Sequence, residues 1–486
     1  MQRALVTALL AALATPALAT REGGASLTIY SGDYDAVVQS AGGFAPGHAL
    51  VRERHRFELA AGANQVRVGG LPQAIDAAGV VFRALGDAQV GSQRFDFALA
   101  GQDELLRRAI GRTIRVEQAV GGERLRHAGV LLAAGAGLTL ALPDGRVKVL
   151  SDYASFELDE LPAGLSAEPA LRWDVQAPRA GSQRFDLDYP TGGLAWRAEY
   201  LVTLASGRDC RLHLAAAAQI ANRSGASFSG AQITLVAGQP NRVAAPPAPK
   251  AMRGEAMMMV ADALPTPEAS GEYHAWRLPG TTDLPDASLQ RVPLMADARG
   301  VACERRYETR AGFGGWQPPT PIVEPGFGVS GRQPVLATLA FGNRKAAGLG
   351  QPLPAGRVRV FEHDGALLGE ALLAHTPANA KVELELGTVF DLDAERRRED
   401  FRLDRAARSM TERISLTLRN AKPQAATVRV VESLPRWSEW EIVEASGKWD
   451  KRDAQSIAFE VAVPAGGETT VSYTVRYRWA PDVRIP

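Results

Sequence analysis

The sequence predicts an all-β chain of several antiparallel β-sandwiches, with a small β-barrel inserted near residues 102–161. Three observations predict it. Apolar and polar residues alternate at period two along much of the chain, and helical period is almost absent. Turns rich in Gly and Pro separate the alternating runs. Hydrophobic residues are 46% of the 486, which is enough for two to four separate cores.

The N-terminus carries an address. Arg3 precedes an apolar stretch from Ala4 to about Ala14, then Pro16 and the small-residue pattern Ala17-Leu18-Ala19. That is the three-part layout of a secretory signal peptide, with cleavage expected after Ala19. The apolar run is shorter than the roughly 20 residues that span a bilayer. No Cys stands near the cleavage site to accept lipid. The expectation is an unanchored, exported chain in the periplasm or the medium, with no membrane span.

Residues 20–101 read as an N-terminal sandwich. Its carriers are RERHRFELAAG from Arg52 and NQVRVGGLP from Asn64. Residues 102–161 change character. A short helical start, DELLRRAI from Asp103, leads into about five short strands with a hairpin signal at Pro143-Asp144-Gly145; these read as the closed barrel. From 162 to 486 the chain reads as one long β region. It is interrupted by a Pro-, Ala- and Met-rich segment, 244–286, expected to be mobile or extended. Its C-terminal sandwich ends in a hairpin. Ile457, Phe459, Val461 and Val463 share one strand face, and Val471, Tyr473, Val475 and Tyr477 share another. The near-identical heptapeptides GSQRFDF from Gly91 and GSQRFDL from Gly181 read as two similar strands, not as a repeat array.

Charge excludes some partners. Fifty-five basic residues against 54 acidic ones leave a net charge of +1, which is no footprint for nucleic acid or an anionic membrane. Cys210 and Cys303 are the two cysteines. In an oxidising compartment they can pair across strands, and two separate buried thiols are the alternative. No C-x-x-C pair suggests redox catalysis.

Catalytic signals are missing. The seven His form none of the spacings that bind zinc, and there is no nucleophile elbow or phosphate-binding loop. Asp391 and Asp393 would share a strand face, as acid–base work needs, but the wet face of a strand looks the same. No catalytic residue and no cofactor is assigned. Met252, Met257, Met258 and Met259 are the weak metal candidates, since thioethers suit Cu(I); a greasy linker docking onto its own domain is the favoured reading. Trp196 and Tyr200 read as core anchors ahead of a sugar platform. Trp437, Trp440 and Trp449 cluster in LPRWSEWEIVEASGKWD, which reads as an exposed partner surface.

Several segments together resemble one bacterial family, the domain of unknown function numbered 4139, whose relatives include mucoidy-inhibitor-like secreted proteins. The carriers are YPTGGLAWRAEYLVTL from Tyr189, IANRSGASFSGAQITLVAGQP from Ile220, GLGQPLPAGRVRVFEHD from Gly348, HTPANAKVELELGTVFDLDAER from His375 and RISLTLRNAKPQAATVRVVESLP from Arg413. The resemblance spans about residues 171–479. It implies a β-rich envelope protein and no known activity, catalytic residue or cofactor. It also implies that Gly193, Trp196 and Tyr200 build a sandwich and that Asn222 and Gly225 form a turn. The long coiled coil that many relatives insert is missing here.

The first functional expectation is a non-enzymatic module that binds an envelope protein or surface polymer. The second is a hydrolase or carbohydrate-active enzyme with a site assembled from distant residues. Copper handling through the Met segment is the third.

Overall fold

The structure, a computed structural model, describes residues 17–40, 46–96, 102–120, 123–160, 162, 169–207, 209–238, 257–259, 267–270, 272–311, 317–328 and 330–485. Strands dominate these residues, as the period-two pattern requires. Most of the leader, Met252 and much of the 244–286 segment lie outside them.

The chain forms two compact units that interleave along the sequence. The first comprises Met1–Trp196 and Gln219–Val292, the second Arg197–Ala218 and Pro293–Pro486. The division expected at 162 is therefore crossed. The strand Ala170–Ala177 returns to the N-terminal residues and pairs with both Gly62–Val68 and Gln89–Asp96.

In the first unit, the strand Ala49–Leu59 alternates buried and exposed residues over its whole length. It pairs with Gly181–Thr191 across eleven register positions. A second sheet, holding Ala170–Ala177, packs against this one. Phe82 joins the two, stacking on Trp173 at 4.0 Å and on Phe185 at 4.8 Å, and Phe57 meets Phe185 edge-on at 5.5 Å. Such ring contacts add to the apolar burial that holds sheet on sheet. The two GSQRFD segments lie on strands of different sheets, as two similar strands should.

The expected barrel at 102–161 is instead an open five-stranded sheet, with Val147–Leu150 at one edge and Ser155–Glu157 at the other. A helix removes the need for closure. Gln102–Ala109 carries Asp103 and Glu104 in its first turn and Arg107 and Arg108 in its last, matching the helix dipole. Its Leu106 and Ala109 join Ile114, Val116, Leu131, Leu138, Leu140 and Leu150 in one core. The apolar face is covered by the helix, so the sheet does not curl onto itself.

The reading of 244–286 as mobile also needs correcting in its later part. Tyr273–Arg277 pairs with Thr234–Ala237, and Thr282–Leu284 pairs with the same neighbouring strand. Trp276 is 1% exposed and Leu284 0%. Two large apolar side chains in an otherwise polar stretch are enough to seat it. The backbone of Met257–Met259 runs parallel to Leu289–Arg291.

One construction recurs in both units. A long strand ends at a buried Asn, and the chain then crosses to a strand that lies between one parallel and one antiparallel neighbour. In the first unit Phe228–Ala237 lies parallel to Ser26–Tyr30 and antiparallel to Tyr273–Arg277. In the second, Gly356–Phe361 lies parallel to 198–203 and antiparallel to Leu367–Leu373. Ala426–Ser433 lies likewise between 307–311 and Ser456–Val463.

The Asn does the same work each time. Asn222 donates from Nδ2 to the carbonyls of Ala226 (2.9 Å), Leu284 (3.1 Å) and Pro285 (3.0 Å), while its Oδ1 accepts from Ser224 N. Asn420 donates to Gln424, Val463 and Pro464 and accepts from Lys422 N. Asn343 donates to Gln351 and Pro377 and accepts from Gly350 N. All three are at most 2% exposed. Each satisfies carbonyls at a sandwich corner that water does not reach.

Replacing Asn222 with Ala leaves those carbonyls unpaired and should cost about 2–4 kcal/mol. In urea melts Asn222→Ala should lower the transition of the first unit and Asn420→Ala that of the second. Midpoints that do not move would show that the corners are satisfied by other groups.

Candidate functional site: two buried charge networks and an open cleft

The period-two face of Ser456–Val463 and Gly467–Arg478 builds the C-terminal core, together with Ile414, Leu416 and Leu418. Two carboxylates lie inside it. Glu432, 0% exposed, accepts from Arg396 Nε at 2.9 Å and from the Tyr473 hydroxyl at 2.6 Å. Burial pushes its carboxyl up, while Arg396 and Tyr473 oppose that shift. Glu412 accepts from Arg436 Nε at 2.9 Å and from the Tyr477 hydroxyl at 3.2 Å. Burial, and then the neighbouring carboxylates, hold the Tyr473 and Tyr477 hydroxyls well above the ordinary tyrosine range. Both phenols stay protonated and donate.

Arg436 is also a clamp. It is 1% exposed and donates to the carbonyls of Ile322, Glu324 and Phe327. Its guanidinium lies 4.6 Å from the centre of the Phe401 ring. One side chain thus ties the 322–327 loop to the core.

A third network lies in the first unit. Glu53 and His55 sit on the inward face of Ala49–Leu59 because they keep its alternation. His55 Nε2 is 2.9 Å from Glu53 Oε2, Arg21 pairs with Glu53 Oε1 at 2.9 Å, and the Tyr189 hydroxyl is 3.4 Å from that oxygen. In the second unit, buried Glu199 is held by Arg197 and Arg357.

The sequence candidates fall as follows. Cys210 and Cys303 form a disulfide. Trp196 and Tyr200 are buried core residues, with hydrogen bonds to the carbonyls of Val236 and Pro354. The sugar-platform alternative is thereby removed. Trp437, Trp440 and Trp449 do not form a free aromatic surface: all three are half-buried against the C-terminal core. Trp440 also donates to Ala454 O and is covered by Lys451. Their clustering follows from packing against that core. Asp393 faces Arg332 and Arg419 in a surface ladder of ion pairs. Among the described residues, no group of three or more His, Cys, Asp and Glu is placed to hold a metal. Met252 lies outside the described residues, and only the backbone of Met257–Met259 is described.

A feature invisible in the sequence is an open cleft of about 420 Å³ beside the disulfide. Cys303 pairs in register with Phe341, and Gly342 with Lys381, which sets its floor. Asn379, with a left-handed φ of 66°, and the 3₁₀ turn Lys345–Ala347 form the rim. Asn379 N donates to Asn343 O, and Asn343 N donates to Ala380 O. The Asn343 corner therefore shapes the cleft.

Together these features define an all-β protein of two interleaved multi-sheet units. It is disulfide-linked, the buried carboxylates named above are held by arginines, and an open cleft lies on its second unit. Residues 185–481 match the family model described as domain of unknown function DUF4139, and the chain belongs to that family. No curated protein matches it.

Two predictions follow from the geometry. Arg396→Met leaves Glu432 charged and unpaired and should cost about 3–5 kcal/mol. Adding Glu432→Leu should recover part of that loss, which a double-mutant cycle would read. Breaking Cys210–Cys303, which closes a separation of 93 residues, should cost about 4–5 kcal/mol. Equal melts with and without reductant would refute that.

Proposed function

We propose that this chain is an exported, non-enzymatic binding module of the bacterial envelope. One observation carries the reading: the buried carboxylates Glu53, Glu199, Glu412 and Glu432 are each held by Arg inside a unit. Acid–base catalysis needs a carboxyl that faces substrate with its proton free to move. Here these groups serve packing.

Export is supported by the signal-like leader and by the disulfide, since such bonds persist in oxidising compartments. No helix among the described residues is long and apolar enough to cross a membrane. Partner binding is supported by large apolar side chains left in solvent on consecutive strands, with Phe390 99% and Leu372 85% exposed. Aromatic side chains such as Phe are enriched at protein interfaces.

A photo-crosslinking amino acid at Phe390 or Leu372, in intact cells, should yield a discrete adduct with an envelope protein or surface polymer. Hydrolysis of ester, glycoside or peptide substrates by the purified chain, with no adduct at either position, would overturn the proposal.

A further inference from the structure

We infer that the cleft beside the disulfide is a binding site for a small organic carboxylate, with Arg344 as its anchor. The inference rests on the binding-module reading and names a ligand class for it. The cleft volume of about 420 Å³ lies within the range of small-ligand sites. Its walls are short and apolar: Ala302, Ala340, Phe341, Ala347 and Ala380.

Three charged side chains line the cleft, and two of them are engaged. Glu304 is paired with Arg306, and Lys381 with Glu383. Arg344 is exposed on the rim and has no carboxylate partner among the described residues. Most other arginines around this sheet are paired: Arg305 with Glu362, Arg306 with Glu304 and Arg310 with Glu308. Arg344 is the arginine that lines the cleft.

Arg344 also runs along the strand end. Its stem crosses Gly342: a Cβ built there would lie 3.3 Å from Arg344 Nε and 3.4 Å from its Cγ and Cδ. Its backbone N–H donates to Gly342 O at 2.9 Å. The glycine lets the side chain lie flat along the strand end.

The charge count selects the ligand. A planar guanidinium matches a carboxylate through two parallel hydrogen bonds. One unpaired cation balances a monoanion, and the alanine and phenylalanine walls suit a short apolar body behind it. Phosphate, a dianion with no apolar part, would meet a single unpaired cation and the Glu304 carboxylate.

Butyrate titrated into the full chain, followed by NMR, should bind saturably, and inorganic phosphate should not. Arg344→Gln should weaken butyrate at least tenfold, and Arg344→Lys should weaken it too, because the charge remains without the fork. Gly342→Val keeps the guanidinium but displaces its stem, and should weaken butyrate as well. Unchanged melting of Arg344→Gln would exclude unfolding as the cause. Butyrate binding that is absent from the wild type, or equal in Arg344→Gln, would overturn the inference, as would phosphate binding as tight as butyrate. Failure here with envelope adducts retained at Phe390 would remove the ligand class and leave the binding reading standing. Saturable butyrate binding with no adducts would keep the ligand class and remove the macromolecular partner at Phe390.

Discussion

At three strand ends among the described residues the chain turns on an asparagine that water does not reach. Where a strand ends and the chain crosses to its next strand, backbone carbonyls point into the corner and the Asn side chain meets them. An unpaired buried carbonyl costs on the order of 1–3 kcal/mol. Asn offers two donors and an acceptor on a short stem, so one side chain serves several backbone groups. At Asn222 and Asn420 the two X-Pro carbonyls bonded are Leu284–Pro285 and Val463–Pro464. Proline fits there because its missing N–H is not needed at a strand end. The corner fixes which strand lies parallel and which antiparallel, and the sheet order follows from it.

The buried ion pairs work at a different level. Glu432 with Arg396 and Glu412 with Arg436 sit among apolar side chains, where desolvation offsets much of the Coulomb attraction. Their contribution is best understood as registration. Arg396 and Glu432 lie on different strands, and Arg436 reaches three carbonyls of a loop about 110 residues away. A slip of one residue in any of these strands would place a charge against an apolar neighbour. The tyrosines complete the arrangement from a third strand, since Tyr473 and Tyr477 share a face at period two.

Much of the fold was legible because strands announce themselves by alternation. The faces of Ile457–Val463, Val471–Tyr477 and Ile414–Leu418 are the faces the C-terminal core uses. The same rule was misleading where a helix competed with it. Leu106 and Ala109 cover the sheet at 113–157 and leave it open, and no strand pattern foretells what a neighbouring helix will cover. The tryptophans of LPRWSEW looked like a surface because Trp is common at interfaces. Their neighbour Arg436 draws the loop inward, and a lone Arg in sequence does not reveal three carbonyls waiting for it. The cleft had no linear signal. Its parts come from 302–304, 340–347 and 379–381, and only strand pairing places them together.

The sequence by itself determined the class of this protein: all-β, divided by Gly and Pro turns, and a member of a family recognisable from its turn and strand-end residues. Those are local properties, set by backbone preference and by alternation within a strand. The tertiary structure decided that two units interleave, that Cys210 meets Cys303, that the buried carboxylates face Arg and Tyr, and that Arg344 lies along Gly342 in an open cleft. Each of these depends on residues that are distant in sequence. Register and sheet order bring them together, and both are set by the packing of whole sheets around corners that a single asparagine holds.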